Sequence, residues 1–125
     1  MTPNLLSADT IKGSKVKNAV NEDIGQIKDL MIDWEFGNVA YAVMSFGGFL
    51  GFGEKLFAIP IEAFNFDTHD TEGKILLNLD KEILEDAPGF DKDNWPQHPD
   101  YTFIDSVYNH YGYGSYRDRF SRTVL

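Results

Sequence analysis

The chain contains no cysteine. That absence excludes disulfides, thiolate zinc sites and a cysteine nucleophile, and it fits a reducing compartment. Positive charge is scarce: 11 Lys and Arg face 20 Asp and Glu, for a net charge of −9. A protein that grips duplex nucleic acid needs a basic face to neutralise phosphates. Here the eight lysines are scattered, and Arg117, Arg119 and Arg122 all sit in the last nine residues. No duplex nucleic acid partner is therefore expected. The arginine tip reads as a solvated, fraying tail, with docking on an acidic surface as the alternative. A long apolar run is also missing. The stretch from Phe36 to Gly53 has no charge, but Gly37, Gly47, Gly48, Gly51 and Gly53 interrupt it, so no membrane-spanning helix is expected. The opening Met1-Thr2-Pro3-Asn4 has no basic segment followed by an apolar run, which points away from a signal peptide and toward the cytoplasm.

What is present is the composition of a globular domain: 125 residues, 42% hydrophobic and 25% charged. A chain of this length can bury a core without staples. Short strand signals separated by turn residues recur up to Leu79. Lys15-Val16-Lys17-Asn18 alternates polar and apolar, and Asn21 to Gly25 reads as a turn. Gln26 to Asp33 reads as a second strand whose apolar phase slips between Ile27 and Leu30, so one extra residue, a β-bulge near Lys28-Asp29, is expected. After a turn at Glu35 to Asn38, Val39 to Phe46 is apolar on both faces, which marks a central strand. Leu56 to Ile59 ends at Pro60, which cannot donate to a ladder. Lys74 to Leu79 is the last clear strand, with Ile75, Leu77 and Leu79 on one face.

Asp80 then caps a short helix, Lys81 to Asp86, stopped by Pro88-Gly89. Five short strands without long intervening helices imply antiparallel pairing in a small closed or partly closed β-barrel. The fold class is thus mainly β, with residues 1–90 as barrel and 91–125 as an extension packed on the barrel or on a dimer mate. Within that extension Asp100 to Tyr111 can form one helix. Its stripe of Tyr101, Ile104, Tyr108 and Tyr111 is expected to make the tail contacts.

Candidate chemistry is thin. The loop from Gly47 to Leu56 misses the phosphate-binding pattern: Lys55 comes one residue late, Leu56 replaces the Ser/Thr, and a strand follows where a helix is needed. It reads better as a glycine hairpin presenting Phe49, Leu50 and Phe52. His69 between Asp67 and Asp70 suggests a metal, but no second histidine stands at ligand spacing. His98 and His110 stand alone. Ser7, Ser14 and Ser45 have no histidine nearby in sequence, and the carboxylate pairs Glu22-Asp23 and Asp29…Asp33 read as turn and bulge residues. No catalytic residue, cofactor site or metal site is expected.

Several segments together resemble a known family. Gly13-Ser14-Lys15-Val16-Lys17-Asn18, Ile24-Gly25-Gln26-Ile27-Lys28-Asp29-Leu30, Asp33 and Gly37 resemble the opening of the PRC-barrel domain. That domain is named for the cytoplasmic part of the photosynthetic reaction centre H subunit, and it also forms half of a ribosome maturation factor. Val39 to Gly51 resembles its central strand and glycine loop, and Lys55-Leu56-Phe57-Ala58-Ile59-Pro60 its next strand. Ile61 stands where the family pattern has an aromatic residue. The likeness covers about Leu5 to Phe90, and Ala87 to Pro96 with the aromatic tail resembles small stand-alone bacterial members.

The resemblance implies a β-barrel with a role in assembly or protein–protein contact, and it brings no catalytic residue or redox ligand set. The expected function is a non-enzymatic binding or scaffold module. The apolar side chains of Phe46, Phe49, Leu50 and Phe52, crowded on one loop, point to self-association as a homodimer. An RNA- or ribosome-associated assembly factor and a metal- or small-ligand-binding barrel are the alternatives.

Overall fold

The phase slip read in the second strand is a real break in the sheet. The computed structural model describes residues 7–46, 55–66, 75–79, 83–84, 86–91, 93–98 and 100–120. Its longest strand, β2, runs Asp23–Asp33, between β1 (Lys15–Lys17) and β3 (Asn38–Ser45). The β2–β3 register shifts between Ile27 and Asp29, where the bulge is expected, and again between Met31 and Ile32; on the other side β1 shifts between Val16 and Lys17. These shifts have a packing cause. Ile24, Ile27 and Leu30 all turn to one core although they are three residues apart, and a strict two-residue alternation cannot do that without extra residues. The strand also starts earlier than its sequence suggests, because the turn is made upstream. Asn18 Oδ1 accepts from the Val20 and Glu22 backbone N–H at 3.1 and 3.0 Å, and Asn21 takes φ 67°.

The remaining strands are β4 (Lys55–Ile59), β5 (Phe64–Asn65), β6 (Ile75–Leu77) and β7 (Gly89–Asp91). Together they make one seven-stranded sheet in the order β5-β6-β1-β2-β3-β4-β7. The order is linear among the described residues, so of the closed or partly closed barrel expected from sequence the structure shows a mainly β, curled sheet that is not closed by pairing. The connection from β4 to β5 requires the curl. In a flat sheet those strands would lie five spacings, about 24 Å, apart. Yet only the 3₁₀ turn Ile61–Ala63 and Pro60 lie between Ile59 and Phe64, a link that spans at most about 18 Å. One core cluster accordingly gathers Val16, Ile27, Met44, Ile59, Phe64 and Leu77 from six strands.

Three expectations need correction. The pairing is not wholly antiparallel: β1 and β6 are parallel, which is possible because a long connection, not a hairpin, brings β6 beside β1. Lys74 to Leu79 does not hold the last strand, because Gly89–Asp91 pairs with β4 directly after Pro88. Helix is also not confined to Lys81–Asp86 and Asp100–Tyr111. Ile83 and Leu84 are helical, and α2 (Tyr101–His110) lies inside the second expected span, but α1 (Ala8–Ile11), whose cap is Ser7, and a second tail helix, α3 (Tyr116–Phe120), lie outside both.

The tail helices cover the outer face of the sheet. Strand alternation sends Phe57 and Ile59 to the inner cluster and Leu56 and Ala58 to a second one. There Tyr41, Val43 and Leu56 meet Ile104, Val107 and Tyr116. β3 is apolar on both sides because both clusters use it. No helix among the described residues is long and apolar enough to cross a membrane.

Candidate interaction surface

The end of β2 is shaped by one buried carboxylate. Asp33 is 2% exposed. Its Oδ1 accepts from the backbone N–H groups of Glu35 and Phe36 at 3.1 and 3.2 Å. Its carbonyl accepts from Gly37 N–H at 2.7 Å, and Gly37 has the φ of 83° that closes the turn. Two tyrosines of the tail complete the shell: Tyr101 Oη donates to Oδ1 at 3.1 Å and Tyr116 Oη to Oδ2 at 2.9 Å. Asn38 Nδ2 donates to Tyr116 Oη at 2.9 Å. The Phe36 ring stacks on Tyr101 and Tyr116, with centroids 4.9 and 5.8 Å away. Burial, and then the bond to Asp33, raises the Tyr116 phenol well above its usual value, so it stays a donor.

With Asp33 turned inward, the tip of the turn points out. Trp34 is 86% exposed and Ile32 60%. They flank a cleft of about 150 Å³. One wall comes from Met31, Ile32 and Trp34 on β2 and its turn; the other from Pro96 to His98, Asp100 and Phe103. Tyr41 lines it too, 3% exposed, with its ring edge-on to Phe103 at 5.9 Å. Burial, and then the Asp100 carboxylate, pushes the Tyr41 phenol up to about 12. Asp100 is the N-cap of α2, its Oδ1 accepting from Phe103 N–H at 3.2 Å.

The residues singled out from sequence lie elsewhere. Phe46 is partly buried, edge-on to Phe57 at 5.7 Å, and packs on the inner core. Phe49, Leu50 and Phe52 lie outside the described residues, as do His69, Asp67, Asp70 and Arg122. In the tail stripe Ile104 and Tyr108 are buried and Tyr101 is half-buried. Tyr108 Oη donates to the Ala40 carbonyl at 2.8 Å. The picture of a fraying arginine tip is overturned for two of the three. Arg117 Nε donates to Asp105 Oδ2 at 2.8 Å and its backbone N–H to Oδ1 at 3.1 Å. Burial raises the Asp105 carboxyl, but the Arg117 bonds outweigh it and hold it below its usual range. Arg119 makes a two-pronged pair with Glu62, its second nitrogen 2.7 Å from Oε2, and lies over the rings of Tyr108 and Tyr113.

Other polar candidates serve the backbone. Ser14 Oγ donates to the Thr10 carbonyl, and Ser45 Oγ sits 3.4 Å from the Gln26 carbonyl. Asp29 accepts from Leu30 N–H and faces Lys12 at 3.9 Å. His110 Nε2 lies 2.9 Å from the Ile83 carbonyl. Among the described residues no cluster of His, Asp and Glu has the arrangement of a metal site.

The sequence reading missed Ile32 and Trp34. A signal was there: a tryptophan inside the short polar turn Asp33-Trp34-Glu35-Phe36-Gly37 has little chance of reaching a core.

No curated protein gives a significant match to this chain. A family model does match, and its span tracks the fold. Strands β1 to β6 lie inside residues 3–84, whereas β7, α2 and α3 lie beyond, so the cleft is walled on one side by matched sequence and on the other by the extension. Over residues 3–84 the sequence matches the PRC-barrel domain, and the chain belongs to the PRC-barrel family.

Proposed function

We propose that this PRC-barrel protein is a non-catalytic protein-binding module whose partner docks at Ile32, Trp34 and the adjoining cleft. The observation that carries the reading is the 86% exposure of Trp34 on a turn fixed by Asp33. A tryptophan offers about 150–250 Å² for burial, and tryptophan is enriched among residues that dominate binding energy. Because Asp33 and Gly37 hold the turn already, little ordering is left for the moment of contact. The non-catalytic part is supported by the family and by the engagement of Ser14, Ser45, Asp29 and Asp33 in structural bonds.

Affinity capture from native extract with wild type and Trp34→Ala tests this reading. A specific protein retained by the wild type and lost by a folded Trp34→Ala variant is the expected result; an unchanged set of captured proteins refutes it. Self-association through the glycine loop is a separate contact. Phe46 already spends its ring on Phe57, so Phe49, Leu50 and Phe52 are left to supply that interface. Light scattering on Phe49→Glu with Phe52→Glu decides it: a wild-type dimer that the folded variant loses supports the contact, and an unchanged mass removes it.

A further inference from the structure

The Trp34 cleft has a more specific chemistry than an apolar patch. Its volume of about 150 Å³ falls below the roughly 300–1,000 Å³ of sites that enclose metabolites or cofactors, and it suits one side chain. Tyr41 is 3% exposed and lines the cleft, yet its hydroxyl has no hydrogen-bond partner among the described residues. The oxygen itself is not sealed in, since among the described residues Tyr111 Oη is the buried side-chain oxygen without a partner, so the Tyr41 hydroxyl stands open to a polar occupant of the cleft. Asp100, which also lines the cleft, uses Oδ1 to cap Phe103 N–H, which leaves Oδ2 outside the cap. Neither lysine nor arginine lines the cleft, and the chain carries a net charge of −9.

Resting on the binding-module reading, we infer that the cleft receives a basic side chain, arginine or lysine, presented by the partner protein. The aliphatic stem lies along Ile32 and Trp34, and the cationic head donates to Asp100 Oδ2 and to Tyr41 Oη. Trp34 and Phe103 offer ring faces to the same charge. An acidic side chain would meet Asp100 as a like charge, and an aliphatic one would leave the Tyr41 hydroxyl unpaired.

The test is an NMR titration of the full chain with four capped tripeptides, acetyl-Ala-X-Ala-amide, where X is arginine, lysine, norleucine or glutamate. Flexible peptides this small should bind weakly, on the order of 1 mM or about −4 kcal/mol. The arginine and lysine peptides should shift resonances of Trp34, Tyr41 and Phe103, ahead of norleucine and glutamate. Asp100→Asn keeps the helix cap, because Asn caps as well as Asp, and should weaken the basic peptides by roughly fivefold, the upper end for a solvent-facing ion pair. Tyr41→Phe should weaken them as well. Norleucine binding as tightly as lysine, or Asp100→Asn binding like wild type, overturns the basic assignment while leaving a Trp34-dependent partner intact. No shift at Trp34 with any peptide up to about 50 mM, well above the affinity such fragments reach, also overturns it. Loss of Trp34 dependence in the capture experiment removes the parent reading itself.

Discussion

Asp33→Ala is the perturbation that most directly probes how the surface is held. The substitution removes the acceptor of two backbone N–H groups and two phenols. The four losses are unequal. Tyr101 Oη keeps a second acceptor, Glu35 Oε2 at 2.8 Å, so its loss contributes little. The two N–H groups form a cap-like turn, and losing such a cap costs about 1 kcal/mol. Tyr116 is fully buried, and its hydroxyl would lose the Asp33 acceptor while still receiving the Asn38 donor, a mismatch that costs about 1–3 kcal/mol. The sum is about 2–4 kcal/mol, or a fall in Tm of roughly 8–15 °C for a domain of this size. Asp33→Asn should fall about half as far, since one oxygen still serves the turn and the amide cannot accept from Tyr116. Thermal and urea unfolding measure both, and limited proteolysis should show earlier cleavage between α2 and α3. An Asp33→Ala protein melting within about 2 °C of wild type, a loss of under about 1 kcal/mol and so well below the roughly 2 kcal/mol floor of that sum, would refute the reasoning.

Other substitutions have defined signs. Tyr111 Oη is buried without a hydrogen-bond partner, so Tyr111→Phe should stabilise by about 1 kcal/mol in urea unfolding. Gly25 has no room for a side chain: an added Cβ would strike the Ser45 carbonyl and lie 3.0 Å from Met44 Cγ. Gly25→Ala should therefore cost about 1–3 kcal/mol by the same measurement. Stability should also fall in alkali. Burial and Asp100 push Tyr41 up to about 12, and burial raises Tyr108 and Tyr111 as well. Neutral phenols stabilise the fold fully below the unfolded value of about 10, and that contribution disappears as pH climbs through the folded values. Tyrosinate absorbance should thus rise late and together with unfolding.

Features set by local burial were legible in the sequence. The β2 bulge showed because Ile27 and Leu30 share a core face while their spacing is odd. β3 showed as central because both of its faces are apolar. The parallel β1–β6 pair did not show, since nothing in three-residue strands fixes direction once the connection is long. The sequence places Asp33, with Asp29, as an ordinary carboxylate of a bulged strand. What buries it arrives from Tyr101 and Tyr116, 68 and 83 residues away. For α3, five residues are too few to display a helical period, and the bond from Arg119 to Glu62 crosses 57 residues. The exposure of Trp34 was missed although its tight turn signals it, and the cleft beside it needed Pro96 to Phe103, which sequence places only as a tail.

Photo-crosslinking from position 34 inside native cells tests most directly whether this surface is where the protein binds. A photoreactive residue replacing Trp34 should give a discrete protein adduct absent from the same label at Asn109, an exposed position on α2. Adducts at position 34 no different from those at position 109 would contradict the account.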